Sequence, residues 1–185
     1  LESIQNAFKN HKNELQASAD GFAESVNDSK ELFSVISLDQ QPELIDGVLR
    51  NILSSLDPVF GGINKAPKFP LPSLMNFFES IPIAIGLELD VYQLANLQLN
   101  KMAQGGIFDH LSGGFSRYSV DSEWFCPHFE KMLYDNAQLL SAYTKAYKRE
   151  RNPLYQEVIF DTISFLKREL LSPRGLYYSS LDADS

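Results

Sequence analysis

The chain has 185 residues, 44% of them hydrophobic, and a formal net charge of −8. That length and apolar content suffice for a folded domain with its own core. The acidic balance argues against nucleic acid or an anionic membrane as partner, because phosphate recognition needs a basic surface. No apolar run approaches the roughly 20 residues that span a bilayer. The lone Cys126 rules out an internal disulfide and fits a reducing, cytoplasmic setting, where it reads as an ordinary half-buried thiol.

Leu1, Ile4, Phe8 and Leu15 recur at near-helical spacing between charges, so residues 1–17 read as an amphipathic helix with His11 on its surface. Residues 18–41 are polar and read as linker plus a short helix. Residues 1–38 thus form a connecting helix and linker, and 39–185 a second region. Pro42 suits a first helical position. Leu44, Ile45, Val48, Leu49, Ile52, Leu53 and Leu56 make one apolar stripe, ended by Asp57-Pro58. Residues 59–72 are loop by their Gly and Pro content. Helices follow at about 73–80 and 90–104, the second with Asp90 as cap and Gly105 after its end. Another is expected over about 127–149. A last one runs over about 153–171, capped by Asn152 with Pro153 behind it. No stretch shows a sustained strand pattern, although the aromatic-rich loops can form short hairpins.

Residues 105–136 read GGIFDHLSGGFSRYSVDSEWFCPHFEKMLYDN and gather two of the three His, the only Trp and the only Cys. Glycine doublets beside aromatics and ionisable groups point to a polar pocket built on loops. The chain also repeats itself. GGFSRYSVDSE matches RGLYYSSLDAD, with Gly114 on Gly175, Ser119 on Ser180 and Asp121 on Asp182 at a constant offset. GGIN at 61–64 adds a third Gly-Gly-Ile loop. Helix, Gly-aromatic loop and second helix recur as a unit that must stack on neighbours to bury its apolar face. The chain opens on Leu1 and stops where the repeat calls for another helix, so it reads as a fragment of a larger helical array.

On a helix over 127–149, His128, Lys131, Asp135 and Gln138 fall on one stripe. A neutral His128 in a first turn can act as general base. Lys131 can stabilise an anion and Asp135 can act as acid. The alternative is a solvated face with Lys131 and Asp135 paired at i,i+4. Asp109 and His110 can be a ligand pair or a turn cap. Arg117 can clamp an anion or pair with a structural acid. Asp121, Asp182 and Asp184 can cap helices. Asp182 and Asp184 can also supply paired carboxylates, but two acids are too few to call for a metal.

GGINKAPKFP, the 105–143 segment through PHFEKMLYDNAQLLSAY, and GLYYSSLDADS together resemble the thioredoxin-domain-containing family of spermatogenesis-associated proteins, over about residues 40–185. The resemblance implies an all-α fold, about three helical hairpins forming the N-terminal part of an (α/α)6 toroid like those of sugar 2-epimerases and six-hairpin glycosidases. It further implies a carbohydrate-like ligand, and an upstream thioredoxin-like domain and remaining hairpins as partners. No cofactor is implied. Carried over by motif, the pocket residues are Asp109, His110, Arg117, Tyr118, Asp121, His128, Glu130, Lys131, Tyr134, Asp135, Asn136, Asp182 and Asp184. Sugar epimerase, isomerase or glycosidase chemistry in the full-length protein, with His128, Lys131 and Asp135 catalytic, stands as the first expectation. The alternative is a non-catalytic binding module serving the thioredoxin-like domain. The fragment alone is expected to be inactive and prone to self-association.

Overall fold

The computed structural model describes residues 8–31, 41–80 and 91–184. The chain divides into two compact units, Leu1–Asn51 and Ile52–Ser185. The first contains α1 (Lys12–Glu31). Its helix continues through residues 18–31, where sequence pointed to linker plus a short helix, and the side chains of residues 8–27 are exposed. Ala, Glu and Lys along this stretch are good helix formers, which the low apolar content concealed. His11 is on the surface beside Glu14. Leu1, Ile4 and most of the 32–40 segment's expected linker lie outside the described residues.

Helix α2 (Gln41–Ser55) crosses the division between the units. The second unit then holds α3 (Pro72–Ser80), α4 (Val91–Gln104), α5 (Leu133–Glu150) and α6 (Pro153–Phe165). Asn152 caps α6 as expected, accepting from the Leu154 N–H at 3.0 Å with Pro153 behind it. The expected helix to 171 instead widens its hydrogen bonding after Phe165 into a π-helical turn, Leu166–Leu170. Asp90 lies outside the described residues.

The core of this unit joins α3, α4, α5, α6 and the loops through Met75, Leu99, Met102, Phe115, Trp124, Leu139 and Tyr155. Tyr143 sits at its centre. Its ring stacks on Phe115 at 5.4 Å, and its hydroxyl donates to the Leu99 carbonyl at 2.7 Å. Burying such an aromatic contributes roughly 2–3 kcal/mol, and the hydroxyl bond avoids an unpaired polar group.

Four two-residue strands lie at the loop end: β1 (Tyr118–Ser119), β2 (Pro127–His128), β3 (Lys131–Met132) and β4 (Ser180–Leu181). β1 pairs with β2, and β3 with β4, both antiparallel. These are the short hairpins the aromatic loops allowed. The three Gly loops close alike, by bridges between Leu56 and Ile63, Phe108 and Phe115, and Leu171 and Tyr177. Gly114 and Gly175, matched by the repeat, share φ of 81°. Within the second unit the Gly loops are stitched together at this end, the Gly61–Gly62 loop region to the Gly113–Gly114 one through Lys68 and Ser119, and the latter to the Gly175 one through β3 and β4. The loops at 105–115 and 174–181 therefore share one end.

Candidate functional site at the loop end

The helix expected over 127–149 begins at Leu133. His128 and Lys131 are on strands, and only Asp135 and Gln138 of the anticipated stripe are helical. The reason is non-local pairing. His128 faces Tyr118 in register, the Arg117 N–H donates to the Glu130 carbonyl at 2.8 Å, and Lys131 faces Leu181. Backbone groups committed to those partners cannot close helical turns.

Asn136 and Asp109 organise the loop. Asn136 is fully buried; its Oδ1 accepts from the Phe115 N–H at 2.7 Å, and its Nδ2 donates to the Phe115 and Met132 carbonyls. Asp109 Oδ1 accepts from the Leu111 and Ser112 N–H groups, each at 2.9 Å. Lys131 does not pair with Asp135. Its ammonium donates to Asp109 Oδ2 at 2.7 Å and to the Gly113 carbonyl at 2.9 Å, over the Phe165 ring at 4.6 Å. Burial works to raise the Asp109 pKa, but Lys131 and the two backbone donors outweigh it and hold the carboxyl below its ordinary value. Two glycines make this packing feasible. A Cβ at Gly113 would lie 2.3 Å from the Asp161 carbonyl oxygen, and one at Gly114 2.4 Å from the Phe165 ring.

Asp121 is the corresponding cap of the next turn. Its carboxylate accepts from the N–H groups of Glu123 at 2.6 Å, Phe125 at 3.2 Å and Cys126 at 2.5 Å. Desolvation pushes its pKa up, and these donors prevail and lower it. Cys126 is exposed, not half-buried as sequence implied, because the turn closed on Asp121 leaves it outside.

A second cluster contains groups less fully committed. Arg117 Nη1 donates to Glu130 Oε2 at 2.9 Å. The guanidinium is stabilised first by this bond, then by the fields of Tyr134, Glu130 and Asp135, which raise its pKa. Asp135, in the first turn of α5, is half-buried, and desolvation with the neighbouring Glu130 pushes its carboxyl up to about 6 against the opposing field of Arg117. Beside this cluster, on the next rung of the hairpin, the His128 ring stacks on Tyr118 at 4.6 Å, and Tyr118 in turn on Phe69 at 4.9 Å. His128 Nδ1 is buried without a hydrogen-bond partner.

Two clefts lie beside the Gly105-Gly106 loop. One, of about 330 Å³, is lined by Phe108, Asp109, His110, Phe129 and Lys131 among others. The other, of about 440 Å³, includes Phe60, Lys101, Gln104, His110, Glu123 and Phe125. The thirteen motif-derived pocket residues are thus spread over distinct places. Asp109, His110 and Lys131 line a cleft, Arg117, Glu130, Tyr134 and Asp135 cluster, and Tyr118 stacks with His128. Asn136 and Asp121 hold backbone, and Asp182 and Asp184 follow β4 at the surface. Among the described residues, no three or more His, Cys, Asp or Glu side chains gather as a metal site.

Sequence reading missed Lys68. It is buried, donating to Asp57 Oδ2 at 2.6 Å and to the Ser122 carbonyl at 2.7 Å, with Trp124 5.1 Å away. Asp57 was read only as a helix stop. Its place before Pro58 was the available hint of a turn cap, since its Oδ1 accepts from the Val59 and Phe60 N–H groups. Lys101 lies in no motif, and Glu123 ends the GGFSRYSVDSE repeat without a role assigned to it.

No family model matches the chain. Spermatogenesis-associated protein 20 of Mus musculus is 43% identical over 132 residues, which are 70% of this chain and 17% of that protein. The Homo sapiens protein is 42% identical with the same coverage. An uncharacterised Caenorhabditis elegans protein, B0495.5, is 36% identical over 86% of this chain and 21% of its own length. The chain therefore spans about a fifth or less of these relatives. A sugar epimerase from a ruminal bacterium superimposes with a TM-score of 0.61 at 15% identity, covering 74% of this chain and 37% of the epimerase. Cellobiose 2-epimerase from Spirochaeta thermophila gives 0.60 at 20% identity, covering 79% and 39%. The likeness concerns the fold, which is part of an (α/α)6 toroid.

Proposed function

We propose that this chain, a homologue of spermatogenesis-associated protein 20, binds and chemically modifies a carbohydrate-like substrate at its loop end by acid–base chemistry. The observation that carries this is Asp135, half-buried and pushed up to about 6 beside the Arg117–Glu130 pair. A carboxyl so placed holds a proton at mildly acidic pH and can deliver it to a leaving or enolic oxygen. His128 supplies the base. Arg117 stabilises developing negative charge, and Tyr118 and Tyr134 offer ring faces and hydroxyls. Lys131 positions the Asp109 loop rather than reacting, since its ammonium is already engaged. Asp182 and Asp184 complete the carboxylate inventory of the same end. The epimerase-like fold supports the substrate class. In the intact protein a thioredoxin-like domain and further hairpins complete the site, in a reducing, cytoplasmic setting consistent with the exposed Cys126.

The test is to incubate the intact protein with reducing disaccharides in deuterated water. Deuterium at the carbon beside the carbonyl, with a new epimer or ketose, identifies isomerase or epimerase chemistry. Release of monosaccharide identifies hydrolysis. Asp135→Asn is expected to lower kcat/KM by 10²-fold or more. The wild-type rate should fall as pH rises through about 6, because the acid must be protonated. Binding without turnover of any sugar would replace this reading with the non-catalytic module.

A further inference from the structure

The two clefts meet at Gly106 and His110, which line both. His110 is fixed there. Its Nε2 lies 3.0 Å from the Gly105 carbonyl, and its ring meets Phe108 edge-on at 5.3 Å. A carbonyl only accepts, so Nε2 carries a hydrogen and donates to it, which leaves Nδ1 facing the groove as the ring's remaining polar atom. Lys101 stands over the Phe60 ring at 5.4 Å and Glu123 lies in the same cleft, neither joined to an opposite charge among the described residues. Phe125 is 79% exposed and Phe129 70%, one bordering each cleft. The floor is closely packed: a Cβ at Gly106 would fall 2.1 Å from the Phe125 carbonyl oxygen.

This chemistry discriminates between ligand classes. An anion would meet Lys101 but also the like charge of Glu123 in the same cleft. A purely apolar ligand would desolvate Lys101 and Glu123 without pairing them, which is costly. A sugar ring satisfies the set, because each hydroxyl both donates and accepts while its C–H face covers an exposed aromatic ring. Each cleft also falls in the size range of small-ligand sites.

We infer that the groove around His110 is a carbohydrate-binding subsite in its own right, with a sugar ring against Phe125 and its hydroxyls on His110, Glu123 and Lys101. The inference shares the carbohydrate reading above but uses none of the residues assigned to acid–base chemistry. It assigns the groove a holding role for an extended glycan, the Phe129 cleft taking the next unit.

Calorimetric titration of the intact protein with maltotriose, cellotriose, xylotriose and chitotriose, and separately with inorganic phosphate, tests it. At least one trisaccharide should bind. Phe125→Ala and Glu123→Gln, both on exposed side chains, should each weaken it tenfold or more, and Lys148→Ala, exposed in the last turn of α5 and outside both sites, should leave affinity within twofold. Absence of turnover alongside this pattern would sink the catalytic proposal and leave the subsite standing. No binding of any trisaccharide, binding indifferent to both groove variants, equal loss in Lys148→Ala, or phosphate as the tighter ligand would each overturn the subsite.

Discussion

Asp135 and Asp109 are carboxyls at the same loop end, perturbed in opposite directions. Asp109 has a lysine ammonium and two N–H groups to repay its desolvation, whereas Asp135 has only the field of the partly exposed Arg117. Their contributions to stability therefore run oppositely with pH. Asp109, and Asp121 with it, stabilises the fold above the ordinary carboxylate range, and that stability is lost as pH falls through it. For Asp135 the folded chain holds its proton longer than the unfolded one. Below the ordinary range both states carry the proton and there is no penalty. The penalty grows as pH rises and is complete above about 6. Discounted for its solvent-exposed half, it is on the order of 1 kcal/mol. Asp135→Asn should therefore raise Tm at pH 7.5 by about 2–4 °C, with the gain vanishing near pH 4. Calorimetric melts at both pH values check this. A destabilised variant at pH 7.5 would mean that the carboxylate is held by partners as Asp109 is. Composition and spacing singled out Asp135, but its isolation from hydrogen-bond donors is a property of the folded surroundings.

At the scale of elements, the helices were legible and their junctions were not. Periodicity located α2, α3, α4 and α6 to within a few residues, since an apolar stripe is a local signal. The segment 127–132 failed because its conformation is decided by residues 117–119 and 180–181, far away in sequence. The Gly-aromatic repeat was legible and correctly paired Gly114 with Gly175, which share φ of 81°. Surroundings separate the two. Alanine at Gly175 would meet nothing within 4 Å, so it carries only the backbone strain of about 1–2 kcal/mol. Alanine at Gly114 would add a 2.4 Å clash with the buried Phe165 ring. Gly114→Ala should destabilise by at least about 2 kcal/mol more than Gly175→Ala. Urea unfolding of both variants measures the difference, and equal losses would remove Phe165 packing as the reason for glycine at 114.

For the molecule as a whole, the repeat architecture implies faces that a partner must cover. Each helical unit buries apolar surface only against its neighbours. The chain covers 37–39% of the epimerase toroids whose fold it shares. In the second unit, Phe160 on α6 is 59% exposed, and Phe8 and Phe22 in the first unit are exposed as well. Scattered exposed residues are ordinary, but aromatic side chains on otherwise amphipathic helices favour association when nothing covers them. The net charge of −8 opposes association at low ionic strength and is screened by salt. The isolated chain should therefore associate more at 0.5 M salt than at 20 mM, and Phe160→Glu should reduce the effect. Light scattering over a concentration series at the two salt levels tests this. A monomer at millimolar concentration in high salt would show that these faces do not need covering. Association that weakens with salt would instead indicate charge-pair contacts.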